Sequence, residues 1–289
     1  MPGVYLHIPY CRKACTYCDF QFLTQLKQKG EMAQALAQEA ALRQDFFGQA
    51  VELDTLYIGG GTPSVLSPEE LETLLTQVQQ IFPLKAGGEL TLEANPDDLT
   101  QPYLEALQTA GVNRLSIGIQ SFDAEDLRQM NRSHTAEQAM ACVNLAKDAG
   151  ITNVSVDLIF GLPGRNLSDW EANVQQAIEL GVPHLSVYAL SVEQKTVLHH
   201  QVEKGKVVLP GDESYAAQFL HAHEWLTAAG YEHYELSSYA LPGMRSRHNS
   251  SYWKGEPYLG LGPSAHAYDG QQRYWNLANN ARYLQHLQH

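Results

Sequence analysis

Basic residues are scarce in this chain: 19 Lys and Arg stand against 32 Asp and Glu, a formal charge of −13 over 289 residues. A surface of that sign repels phosphate backbones, which argues against nucleic acid as the main partner. Long apolar runs are missing too, none approaching the roughly 18 consecutive apolar residues that cross a bilayer. The opening residues Met1-Pro2-Gly3-Val4-Tyr5-Leu6-His7 carry neither the basic region nor the apolar stretch of a secretory signal, so a cytoplasmic location is expected. Cysteine is sparse, with four in all, too unevenly placed for a disulfide framework. The remaining composition, 44% hydrophobic and 18% charged, is ordinary for a globular protein and excludes disorder and collagen-like repeats.

What is present is a rhythm. Short β-branched and apolar runs at 4–8, 55–58, 90–93, 115–119, 154–160 and 185–190 alternate with amphipathic stretches near 32–47, 68–81, 101–110, 136–149 and 170–180. Ser67-Pro68-Glu69-Glu70 supplies an N-cap, a proline at the first helical position and first-turn carboxylates. Gly111, Gly150 and Gly181 follow three of the helices, where the chain must turn left-handed. Alternating strand and helix implies parallel strands joined by crossovers. A doubly wound sheet and a barrel both satisfy this. The polar and Gly-rich motifs decide between them, because they recur after strand upon strand: Cys11 to Cys18, Gly59-Gly60-Gly61-Thr62-Pro63, Glu93-Ala94-Asn95-Pro96, Gln120-Ser121 and Gly161-Leu162-Pro163-Gly164. A barrel gathers its functional groups on such a rim, whereas an open sheet concentrates them at one switch point. The fold expected is α/β, an incomplete TIM-like barrel of six βα units. Residues 231–236 read as one more strand, 237–275 as a loop-rich aromatic stretch and 277–289 as the opening of a helix. The expected division is a barrel core at 1–236 and a C-terminal accessory region at 237–289 that is incomplete.

Cys11, Cys15 and Cys18 fall within eight residues, while Cys142 stands alone in a helical pattern as a small buried hydrophobe. Three readings fit the cluster. Structural zinc wants four protein ligands, and His7 is the nearest candidate for the fourth. Cys15-Thr16-Tyr17-Cys18 alone has the form of a thioredoxin-like pair, which leaves Cys11 unexplained. A four-iron cubane held by three thiolates leaves one iron open to an outside ligand. Other motifs also have ordinary readings. Gly59–Gly61 suits a tight turn and is not followed by the Lys-Ser/Thr of a P-loop. Arg132 suits a local helix cap. His199-His200 reads as a solvated helix face. Gly260-x-Gly262-x-x-Ala265 lacks the βαβ context of a dinucleotide fingerprint. Asp157, in Val156-Asp157-Leu158-Ile159-Phe160, is costly on an apolar strand unless it is paired or used.

Cys11-x3-Cys15-x2-Cys18 with Tyr17 before the last cysteine resembles the cluster loop of the radical S-adenosylmethionine (SAM) enzymes, and Gly59-Gly60-Gly61-Thr62-Pro63 resembles their glycine motif. With Tyr5-Leu6-His7-Ile8-Pro9-Tyr10-Cys11, the resemblance narrows to the branch holding oxygen-independent coproporphyrinogen III oxidases and heme chaperones, and it covers essentially the whole chain. It implies a barrel of the radical SAM type, a [4Fe-4S] cluster on Cys11, Cys15 and Cys18, and SAM on the open iron. It places Tyr5, Gly60 and Glu93 at a first SAM, and Tyr17, Gly61, Thr62, Gln120, Arg132, Asp157 and Ala189 where the oxidases contact a second. The oxidases carry a further cysteine two residues after the third. Here Cys18-Asp19-Phe20 puts Phe20 in that place, as in the heme chaperones, which also share His248-Asn249-Ser250-Ser251-Tyr252-Trp253. The resemblance therefore implies a heme chaperone, with His248 read either as an axial ligand or as a histidine hydrogen-bonded within an aromatic cluster, and His266 as a weaker ligand candidate. Its partners would be heme, an electron donor such as a flavodoxin, and heme-acceptor proteins such as respiratory enzymes, reached at the membrane periphery from the cytoplasm. The alternative it implies is a coproporphyrinogen oxidase that decarboxylates propionate side chains.

Overall fold

The computed structural model describes residues 2–48 and 51–287. Six βα units form its body: β1 (Gly3–Ile8), α1 (Lys29–Leu42), β2 (Leu53–Gly60), α2 (Pro68–Ile81), β3 (Leu84–Ala94), α3 (Gln101–Thr109), β4 (Arg114–Gln120), α4 (Ala124–Gln129), α5 (Ala136–Asp148), β5 (Val154–Phe160), α6 (Leu167–Glu179) and β6 (His184–Ala189). After β6 come α7 (Val197–Glu203), α8 (Asp212–Ala228), β7 (Glu232–His233), β8 (Ser238–Ala240), α9 (Arg247–Trp253), β9 (Tyr258–Leu261), β10 (His266–Tyr268), β11 (Arg273–Trp275) and α10 (Asn280–Leu287). One sheet runs β11-β10-β9-β1-β2-β3-β4-β5-β6-β8-β7. Strands β1 to β6 pair in parallel in chain order, and the sheet does not close on itself. This is the expected α/β partial barrel.

The segment after residue 237 feeds both edges of that sheet: β8 lies antiparallel on β6, and β9 lies parallel on β1. Buried Glu39 of α1 fastens the second of these edges. Its carboxylate accepts from Gly262 N at 2.8 Å, Asn276 Nδ2 at 2.8 Å and Tyr283 Oη at 2.5 Å, and a buried carboxylate needs partners of this kind.

Alternation along the strands separates two environments. Val4, Leu6 and Ile8, Leu56 and Ile58, Leu90 and Leu92, Leu115, Ile117 and Ile119, and Val154, Val156 and Leu158 are all buried in one apolar core with the inner faces of the helices. The residues between them are polar and line the barrel lumen. Helix α2 begins as its sequence predicts: the Ser67 side chain accepts from Glu70 N at 3.3 Å, and the Glu70 carboxylate accepts from Ser67 N at 2.8 Å.

Several expectations are revised. Helix α1 stops at Leu42, because Phe46 and Phe47 leave the helical path to pack edge to face at 5.0 Å, with Phe47 against Phe82 at 6.0 Å. The strand expected at 231–236 shrinks to Glu232–His233, after which the chain turns back and Tyr234 N bonds Ser238 O at 3.2 Å. His199 and His200 lie on helix α7, as read, whereas helices α4 and α8 are additions to the expected elements. In α8 the buried stripe includes Gln218, while Leu220 faces outward, so polarity does not follow the helical period. Of the helix expected at 277–289, residues 280–287 are helical, and the last two lie outside the described residues. Cys142 is a buried core residue, as expected. No helix among the described residues is long and apolar enough to cross a membrane.

Candidate cofactor site

The cysteine loop follows β1 and is held by loops from three other strands. Thr62, after β2, donates its hydroxyl to Cys11 Sγ at 3.3 Å. Arg132 donates from Nη1 to Cys15 Sγ at 3.3 Å and from Nη2 to Asn95 Oδ1 at 2.8 Å. Arg12 is bonded to Asp98 at 2.6 Å, and Asp98 also accepts from Ser64 at 2.7 Å. Asn131, at φ 58°, donates to Ala14 O at 2.7 Å, and Thr16 N reaches Met130 O at 3.1 Å. Gly61 sits so close that a Cβ would lie 3.0 Å from Cys11 Sγ and 2.7 Å from Tyr10 O. The loop is thus a preformed cradle with donors aimed at its sulfurs.

Burial pushes the Cys11 thiol up to about 11 and raises Cys18, so a bound cation is what would hold these sulfurs as thiolates. Structural zinc wants a fourth protein ligand beside the three cysteines. His7, the candidate fourth ligand, faces Tyr5 Oη at 3.1 Å and Gln21 O at 3.2 Å instead. A larger centre with hydrogen-bonded sulfurs suits the donors present.

Beside the loop, Glu93 accepts from Tyr57 Oη at 2.8 Å and from Gly60 N at 3.0 Å. Desolvation by burial raises its carboxyl to about 7. Gly60 has φ 114°, and a Cβ there would lie 2.8 Å from the His7 ring, so only glycine fits without strain. Tyr5 stacks on Tyr57 at 5.9 Å. Tyr5, Gly60 and Glu93, expected together, therefore form one connected group. Asp157 accepts from Ser116 at 3.4 Å, and burial raises it to about 6. Gln120 ends β4 at φ 70°, past an irregularity in its pairing with β5. Gly118 lies between its amide and Arg132, a Cβ there meeting the two at 2.9 and 3.2 Å. Tyr17 packs against a small apolar cluster that includes Leu190, and Ala189 is exposed at the end of β6.

The sequence profile of the Radical SAM superfamily matches residues 5–177. The chain is 39% identical over 286 residues to the heme chaperone HemW of Bacillus subtilis, covering 98% of this chain and 75% of that protein. The chain belongs to the radical SAM superfamily and, within it, to the HemW family. Over 270 residues it is 40% identical to HemW of Escherichia coli, covering 91% of this chain and 69% of that one. The solved structure of coproporphyrinogen III oxidase (HemN) from Escherichia coli, a radical SAM enzyme, superposes with a TM-score of 0.86 at 26% identity, covering 99% of this chain and 69% of its own.

Of the motif that marks the HemW resemblance, Tyr252 lines a cavity with Phe20 at the end of the cysteine loop, while His248 packs against Thr55 of β2. His248 is 1% exposed. Its Nδ1 is bonded to Thr55 Oγ1 at 2.8 Å and its Nε2 to Tyr252 Oη at 2.7 Å, and its ring stacks on Tyr57 at 4.9 Å. Burial, with the Arg114 charge nearby, lowers it to about 3. Of the two readings of this residue, heme ligand or histidine bonded within an aromatic cluster, the structure shows the second arrangement, with both nitrogens bonded. By contrast, Phe20 is 67% exposed.

The polar lumen itself escaped the sequence reading. Arg114 is buried, with Nε and Nη1 unpartnered. Ser155 bonds His184 Nδ1 at 2.7 Å, and His184 Nε2 bonds Tyr234 at 2.7 Å. The signal was available: polar residues recur at alternate positions of each strand, as in Arg114, Ser116 and Gly118 or Ser155 and Asp157.

Proposed function

We propose that this chain is a heme chaperone that carries a [4Fe-4S] cluster on Cys11, Cys15 and Cys18, binds SAM beside it and passes heme to acceptor proteins. The observation that carries this is similarity to HemW proteins over nearly all of this chain and 69–75% of theirs, coupled with an exposed Phe20 where the oxidases have a further cysteine. When bound, the cluster supplies an open iron for the amino and carboxylate groups of SAM and an electron for its sulfonium.

The chain's own groups do the positioning. Tyr5, the Gly60 backbone and Glu93 form the wall for a first SAM, with the Glu93 carboxylate suited to ribose hydroxyls. Thr62 and Arg132 donate to the sulfurs of Cys11 and Cys15, and hydrogen bonds of this kind would tune the potential of a cluster held there. A second SAM would draw on Tyr17, Gly61, Thr62, Gln120, Arg132, Asp157 and Ala189. In this reading an electron donor such as a flavodoxin serves the cluster, and the chain works in the cytoplasm, meeting respiratory acceptors at the membrane surface.

The test is anaerobic reconstitution followed by two assays. Stoichiometric hemin binding and transfer to an apo-acceptor, without carbon dioxide release from coproporphyrinogen III, is the expected result. SAM-dependent decarboxylation without hemin transfer would establish the oxidase reading, which the HemN likeness favours.

A further inference from the structure

The reading above needs a place for heme, and the buried, doubly bonded His248 does not provide one. An exposed imidazole does. His266 opens β10, is exposed, and no hydrogen-bond partner holds its ring among the described residues. It lines an open cavity of about 460 Å³ together with Phe20, Tyr252 and Tyr258, and Tyr5 forms part of the same wall. That size falls in the range of roughly 300–1,000 Å³ typical of small-molecule and cofactor sites. Asp19, Phe20 and Gln21 bring the end of the cysteine loop to the cavity's edge. A second cavity of about 340 Å³ shares Tyr252 and Tyr258 and is lined by Arg273.

The sheet explains why these groups face one way. Cross-strand partners project from the same face. His266 pairs with Trp275, Tyr268 with Arg273, and Tyr268 also with Tyr258. One face of the β9–β11 ribbon therefore carries an imidazole, aromatic rings and a guanidinium in a row. Trp275, 71% exposed, has its ring 6.1 Å from that of His266. A free imidazole is an axial ligand for heme iron, aromatic rings pack on a porphyrin face, and a guanidinium pairs with carboxylates.

We infer that heme binds in this trough, with His266 as axial ligand, Phe20, Tyr252 and Tyr258 against the macrocycle, and Arg273 taking a propionate. This rests on the heme-chaperone reading and deepens it. It places heme beside Tyr5, the residue assigned above to SAM, so the two ligands would share a wall.

The experiment is anaerobic hemin titration of the full reconstituted chain, followed at the Soret band and by electron paramagnetic resonance. For His266→Ala the expected result is roughly tenfold or weaker binding and loss of the imidazole-ligated spectrum, which added imidazole restores. The substituted side chain is exposed, and circular dichroism checks that the fold is kept. Arg273→Ala should weaken binding of hemin but not of hemin dimethyl ester. In His248→Ala the imidazole-ligated spectrum should persist. Unchanged affinity and spectrum in His266→Ala would overturn the assignment, as would loss of the spectrum in folded His248→Ala alone. If the wild-type chain binds no hemin at all, the chaperone reading itself fails, which is a separate outcome.

Discussion

At the floor of the lumen, Glu89 accepts from Arg247 N at 2.9 Å and from His248 N at 3.0 Å, and His248 is bonded through both nitrogens to Thr55 and Tyr252. At the rim, the sulfurs of Cys11 and Cys15 accept hydrogen bonds from Thr62 and Arg132, yet all three cysteines are free thiols. Both ends are dense in polar side chains. The floor spends its hydrogen-bonding capacity on itself, and the helix bearing His248 is thereby fixed under the barrel. The rim instead turns its donors on thiols that form no disulfide, in a loop held by its neighbours. Polar density is common to both ends; what differs is the chemistry of the groups the hydrogen bonds converge on.

The largest expected effect separates the ends outright. Cys15→Ser should abolish nearly all bound iron after reconstitution, measured by iron and sulfide analysis, while leaving the denaturant midpoint of the metal-free chain close to wild type. His248→Ala should do the reverse. It strands Thr55 and Tyr252 and opens a cavity, costing about 3 kcal/mol in denaturant unfolding, with iron content per folded chain unchanged. Iron loss in His248→Ala at full folding would break the division between the two ends.

Smaller changes sharpen it. Thr62→Val removes one donor to Cys11 and should lower the cluster's midpoint potential modestly in a redox titration, with iron retained; no shift would mean that this hydroxyl does not tune the sulfur. A pH-dependent effect concerns Glu93. Burial raises it from 4.5 to about 7, so the folded chain binds more protons than the unfolded one across that window. Its contribution to stability therefore falls as pH rises from 4.5 through 7, then levels off. Glu93→Gln should flatten that decline in unfolding midpoints measured across the same range, and an unaltered slope would assign the titration elsewhere.

Much of this was legible in the amino-acid sequence. The six parallel strands follow from runs whose apolar residues face the helices, and the cysteine spacing with the Gly59–Gly61 run located the rim. Tyr5, Gly60 and Glu93 come together because strands β1 to β3 are neighbours in both chain order and space. What was not legible depends on long-range closure. For His248 the aromatic surroundings suggest a hydrogen-bonded ring, but its partners Thr55 and Tyr252 lie on different elements and are fixed only when α9 folds against β2. Arg114 opens a strand with polar alternate positions, but which side of the sheet those positions face is settled only when the strands assemble. Helix α8 was hidden because Gln218, whose side-chain oxygen accepts from Gly161 N at 2.9 Å, breaks its apolar period with a buried polar group.

Strand β1, which leads directly into the cysteines, has β2 on one side and β9 on the other, pairing Gly3 with Tyr258. During synthesis the N-terminal parts of a chain emerge first, at about 5–20 residues per second. The scaffold beneath the thiols thus stays one-sided until the ribosome has made nearly the whole sequence shown here, and pairings so distant along a chain form slowly. A nascent chain stalled before Tyr258 would present its cysteines on an unfinished edge.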